Sequence, residues 1–192
     1  MSKAAKVWLI IAGSLVPVGC ILFACVTATL GWDFSKLSDS GFETSTGDIN
    51  VKNAAVGSLK LRASTGRVAV SGVKCAGDAG VEAAAGKAEL TDVSCNSFFS
   101  NGTTGDPVLK NLIAAGGFSA GRTTGNVKFD GCDTAELYVK TGTGDVTGSL
   151  LSEKVFIADT ATGSRDVPKT ASGGRCEVLT GTGDIHLRIK NP

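Results

Sequence analysis

Histidine is almost missing from this sequence, which has one in 192 residues, together with one methionine, four prolines and only 6% aromatic side chains. Its 19 basic residues are offset by 18 acidic ones. Each shortage excludes something. A net charge of +1 supplies no basic field for a phosphate backbone, so nucleic-acid binding is not expected. A single histidine, His186, removes most acid–base and metal-ligand constellations. Zinc needs close C-x-x-C pairs, and the six cysteines form none. The glycine pairs Gly116-Gly117 and Gly173-Gly174 read as strand openings, not as a strand-to-helix phosphate loop.

What is present is glycine and one long apolar run. The 26 glycines are about twice the average share, and hydrophobic residues make up 42% of the chain with a mean hydropathy of +0.17. From Val7 to Trp32 there is no charged side chain, which exceeds the ~20 residues a helix needs to cross a bilayer. Pro17 kinks such a helix without preventing insertion, and Trp32 stands where an interfacial aromatic belongs. Two other readings compete. A cleaved signal peptide has a shorter apolar region and a small-residue cleavage site. A lipoprotein signal at Leu22-Phe23-Ala24-Cys25 is opposed by the bulk of Phe23 and by the apolar residues up to Trp32. The expected organisation is a cytoplasmic N-terminus over 1–6, a single transmembrane helix over 7–31, a juxtamembrane linker over 32–41 and an extracytoplasmic domain over 42–192. Lys3 and Lys6 set that orientation by the positive-inside rule.

The glycines mark a repeat. Gly47, Gly66, Gly86, Gly105, Gly125, Gly144, Gly163 and Gly183 follow one another at intervals of 19, 20, 19, 20, 19, 19 and 20 residues. Threonine precedes seven of them, and a polar residue follows each: Asp48, Arg67, Lys87, Asp106, Asn126, Asp145, Ser164 and Asp184. Apolar residues alternate on both sides of the glycine, as in Ile49/Val51, Val68/Val70 and Ile185/Leu187, which is the period of a strand with one buried face. Six residues after the glycine come Asn53, Gly72, Asp92, Asn111 and Gly131, all tolerant of positive φ, so a second corner is expected there. A unit this short cannot bury its apolar face alone, but stacked copies share one core. The expected fold is all-β: a parallel β-solenoid of about eight coils, with equivalent residues ~4.8 Å apart along the stack.

The segment Gly31-Trp32-Asp33-Phe34-Ser35-Lys36-Leu37 after the apolar run, followed by TSTGDINV, KTGTGDV and TGTGDIHL units, resembles the DUF4097 β-strand-repeat proteins of Gram-positive bacteria over essentially the whole chain. The resemblance implies a membrane-anchored, extracytoplasmic, β-helix-like domain, named an adhesin by inference and without an established reaction. The chain departs from the pattern where Arg67, Lys87, Asn126 and Ser164 replace aspartate, and at Ala84-Ala85-Gly86.

No catalytic, cofactor or metal residue stands out. The Asp48, Asp106, Asp145 and Asp184 column invites calcium, yet calcium-binding solenoids repeat their aspartate at a much shorter period, and Arg67 and Lys87 interrupt this one. The exposed carboxylates Glu43, Glu82, Glu89, Asp130, Glu136, Asp159 and Asp166 scatter in phase and form no acid–base pair. Cys75 and Cys95 occupy one phase on adjacent coils, where either a disulfide or a stack of buried thiols fits; Cys132 and Cys176 are out of phase. The expected function is a non-enzymatic envelope protein binding a cell-envelope polymer or protein through its solenoid faces. The alternatives are an accessory regulator of envelope-stress sensing, acting on a membrane protein through the helix face of Pro17, Gly19 and Cys20, and a carbohydrate-active β-helix enzyme. A monomer is expected, with the basic residues of the last strand, His186 to Lys190, guarding an open sheet edge.

Overall fold

The computed structural model describes residues 39–190. The expected cytoplasmic segment, transmembrane helix and most of the linker lie outside the described residues. Within them, fifteen strands follow in order: β1 (Ser40–Thr46), β2 (Ile49–Lys52), β3 (Ala55–Val56), β4 (Leu59–Thr65), β5 (Val68–Cys75), β6 (Ala79–Ala85), β7 (Ala88–Cys95), β8 (Phe98–Thr104), β9 (Val108–Thr124), β10 (Val127–Thr143), β11 (Val146–Leu150), β12 (Lys154–Thr162), β13 (Arg165–Asp166), β14 (Gly174–Thr182) and β15 (Ile185–Ile189). Every pairing is parallel and joins equivalent positions of neighbouring coils, as in Leu61↔Val81 and Val68↔Ala88. The fold is a parallel β-solenoid of about seven turns, enclosed between eight corners, slightly fewer than the expected eight or so coils.

All eight corner glycines have positive φ, with Gly86 at 143°. Close approach makes the same demand. A Cβ on Gly86 would lie 1.9 Å from the Gly66 carbonyl oxygen, and the contact recurs at each later corner, so no side chain fits the column. The residue after the glycine closes the corner. The Asp48 carboxylate accepts the Arg67 backbone N–H at 2.7 Å, Asp106 accepts that of Asn126, Asn126 that of Asp145, Asp145 that of Asp184, and Asp184 that of Ser164. A short side chain with a carbonyl-type oxygen satisfies a backbone donor one coil up the stack. The second corner stands where the sequence placed it, with φ of 50°, 55° and 49° at Asn53, Asp92 and Asn111 and 63° and 62° at Gly72 and Gly131.

The stack order departs from the chain order. On the sheet before the corners the strands run β1, β4, β6, β8, β9, β10, β14, β12, and on the sheet after them β11 neighbours β15, which neighbours β13. The C-terminal coil is therefore inserted between the coil that ends in β11 and the coil of β12 and β13. Glycine permits the threading. A Cβ on Gly173 would meet the Glu153 carbonyl oxygen at 1.9 Å, and one on Gly174 the Ala135 carbonyl oxygen at 1.7 Å. Lys154, on the outer coil, reaches past Gly174 to the Asp133 carboxylate at 3.3 Å and stitches the inserted coil in place. The last strand is thus interior, and the expected guarding of the stack end by His186 to Lys190 is corrected: β12 and β13 form that end. The repeat phase could not disclose this, because one T-G-x unit pairs with another as well as with its sequence neighbour.

The core is a narrow aliphatic column of residues such as Leu61, Val68, Leu90, Val139 and Ile185. Its middle holds stacked phenylalanines, Phe98 on Phe118 at 5.1 Å and Phe118 edge-on to Phe129 at 5.4 Å. Phe98 and Phe118 hold equivalent positions on neighbouring rungs, and Phe129 meets Phe118 from the strand segment that follows the next corner.

Candidate functional site

On each strand before a corner the side chains alternate, so the residues six and four before the glycine face outward. Over most of the stack they are charged or small. Phe99 and Tyr138 differ. They occupy one outward column two rungs apart, ~10 Å at strand spacing, with Ser119 between them. The Phe99 ring lies down over Gly80, where any Cβ would meet it at 2.1 Å, and so leans away from Ser119. Gly117 beside Ser119 has no atom within 4 Å of where a Cβ would stand. The outcome is a groove of about 410 Å³ with Phe99 and Tyr138 as walls, Gly117 and Ser119 as floor and Phe118 beneath, within the range of ligand pockets. Tyr138 is 39% exposed, so its ring is open to the groove.

Glu136, Arg175 and Glu177 edge the groove, with Arg175 paired to Glu177 at 2.7 Å. The last two are there only because the C-terminal coil is inserted beside β10; chain-order stacking would have set the exposed Val155 and Ile157 next to Tyr138. Sequence reasoning missed this site. The signal was present in the outward phase of Phe99 and Tyr138, but the lining depends on stack order.

Most carboxylates singled out in the sequence face cations instead of one another. Glu82 meets Arg62 at 2.6 Å, Glu89 meets Lys87 at 2.8 Å and also Arg67, Asp130 meets Lys190 at 3.7 Å, and Asp159 meets Arg165 at 3.3 Å. Asp166 takes both Arg188 at 2.7 Å and His186 at 3.1 Å, and its carboxyl is held below the usual range, chiefly by the Arg188 hydrogen bond. Among the described residues no three His, Cys, Asp or Glu side chains gather as metal ligands. The aspartate column is continuous only in part, and insertion puts Asp184 directly on Asp145, where an alternation with neutral or opposite partners was expected.

Cys75 and Cys95 are neighbours on adjacent coils, one residue beyond the Lys74↔Ser94 pair, and both are free thiols. The bond considered from the sequence is not formed. Parallel register keeps equivalent Cβ atoms near the ~4.8 Å strand spacing, wider than the ~3.8 Å typical of disulfides. Burial pushes the Cys75 thiol up to about 11; burial first, then Cys75 and Asp78, takes Cys95 to about 12.

A parallel β-solenoid with a grooved, aromatic-walled face and largely ion-paired surroundings defines a scaffold of the repeat-domain class. The profile of the family described as Toastrack DUF4097 matches residues 26–192, and the chain belongs to that family. No curated protein and no solved structure matches it.

Proposed function

We propose that this chain is a non-enzymatic, membrane-anchored envelope protein whose extracytoplasmic solenoid binds a cell-envelope polymer through the Phe99–Tyr138 groove. The carrying observation is the groove itself, two aromatic walls about two rungs apart over a floor without bulky side chains. Flat rings, sugar or aromatic, pack against such walls. The pairing of carboxylates with cations supports a binding role over the carboxylate-pair chemistry of glycoside cleavage. The apolar run over 7–31 supports anchoring with the domain outside.

The test is binding of the full chain, in detergent micelles, to immobilised purified envelope polymers. Tyr138→Ala weakens binding by about tenfold, the loss expected of an exposed aromatic anchor. Gly117→Val, whose Cβ has no atom within 4 Å among the described residues, blocks the groove without loss of thermal stability. Binding unchanged by both substitutions would overturn the proposal.

A further inference from the structure

The position three residues before each corner glycine points into the solenoid. It is occupied by Thr44, Ala63, Ala83, Gly102, Thr141, Thr160 and Thr180, and in one coil by Arg122. Arg122 is only 6% exposed. Its Nη1 donates to the Gly121 carbonyl at 2.8 Å and its Nη2 to the Ser100 hydroxyl at 2.7 Å, both neutral acceptors. Among the described residues the other five arginines, Arg62, Arg67, Arg165, Arg175 and Arg188, all pair with a carboxylate. The buried one alone does not. A desolvated guanidinium with five N–H groups and no countercharge is expensive to keep, and the fold has made room for it. Ser100 replaces the Leu61 and Val81 of its column, and a Cβ on Gly102, which pairs directly with Arg122, would stand 2.1 Å from the Ala83 carbonyl oxygen and 3.1 Å from Nη1.

Arg122 lines a depression of about 360 Å³ with Asn101, Gly102, Thr123 and Lys140, which holds two cations and no carboxylate. Asn101 and Lys140 stand two residues beyond Phe99 and Tyr138 on the same strands and the same face, ~7 Å along the sheet. The depression therefore adjoins the aromatic groove.

We infer that Arg122 and Lys140 form an oxyanion site, and that a polymer whose ring lies in the groove places a carboxylate or phosphate group on it. The inference rests on the groove reading for the ring and stands independently for the anion. The guanidinium fork takes such groups through two parallel N–H bonds, and Lys140 adds a point charge at the rim. Burial depresses Arg122 to about 10, which leaves it charged at neutral pH.

The experiment uses the full chain in micelles and three probes: polygalacturonate, its fully methyl-esterified form, and inorganic phosphate. Polygalacturonate binds about tenfold more tightly than the ester, the scale of a charge-assisted contact. Arg122→Gln erases that preference while leaving ester binding intact, and Lys140→Gln, on the surface, reduces it without touching the fold. Phosphate alone shifts the Arg122 side-chain Nε–H resonance in the wild type. Equal binding of charged and esterified polymer, with no phosphate shift, would overturn the inference. A phosphate shift without polymer preference would overturn its polymer half and assign the site to a small free oxyanion. Loss of both polymers in Tyr138→Ala, set against loss of only the charged preference in Arg122→Gln, separates failure of the groove from failure of the anion site.

Discussion

At the residue scale, the corner column is the part of the structure most legible in the sequence. The glycine is fixed twice over, by positive φ and by a carbonyl oxygen about 2 Å from where a Cβ would lie, so its period survives where threonine and aspartate drift. The second corner was equally legible, since Asn, Asp and Gly share tolerance of the left-handed region. Arg122 and Lys154 were not. Both sit in inward phases where alternation predicts small or apolar side chains, and each depends on a partner two coils distant or on empty space, neither of which local pattern encodes. The Lys154 ammonium is buried beside a partly exposed Asp133. Burial by itself raises the Asp133 carboxyl, but the Ser152 hydroxyl and Lys154 more than reverse this, and the carboxyl lies below its usual value. Asp184, lowered by the Ser164 backbone N–H and hydroxyl, and Asp166 shift the same way. Carboxyls depressed in the folded state bind fewer protons than in the unfolded chain, so their stabilisation is present above the unfolded value of about 3.9 and is lost as pH falls below it. Urea midpoints are expected to hold from pH 7 to 5 and drop below pH ~4. Asp133→Ala costs roughly 2 kcal/mol at pH 7, less than for a fully buried pair because Asp133 is partly solvated, and flattens part of the acid drop.

At the element scale, the strands followed from alternation, but their joining did not. β9 and β10 each run 17 residues through a positive-φ corner that bends the strand without ending its pairing. The larger surprise is the inserted coil. Among the described residues β12 pairs only with β14 and β13 only with β15, so the outer coil depends on the one that follows it in sequence. Deleting residues 174–192 therefore removes the pairing of two coils, not one. Limited proteolysis of the deleted protein is expected to cut within 151–173 and stop at the coil of β10 and β11, whereas an intact β12 in that protein would contradict the insertion. Near-identical repeats hide stack order, since hydrophobic phase specifies which positions pair but not which coils. The signal that does carry it is the pair Gly173-Gly174, small enough to pass beneath Glu153 and Ala135.

For the whole molecule, the inserted coil and the outward phase together make the face that matters. Coils 98–143 carry Phe99, Tyr138, Arg122 and Lys140 on one sheet, and the inserted β14 supplies Arg175 and Glu177 at its border. Elsewhere on the surface several charges pair within a coil or between neighbouring coils, as Glu89 with Lys87 and Glu82 with Arg62, each pair worth little to stability when solvated. The scarcity of histidine and aromatics thus takes on a specific meaning: three phenylalanines brace the core beneath the groove and two rings outside form it. The most direct measurement is amide hydrogen exchange of the full chain with and without polygalacturonate. Added protection confined to the strands of Phe99–Asn101, Gly117–Thr123 and Leu137–Lys140 is the expected result; protection on the sheet after the corners, or none at a polymer concentration that saturates binding, would contradict it.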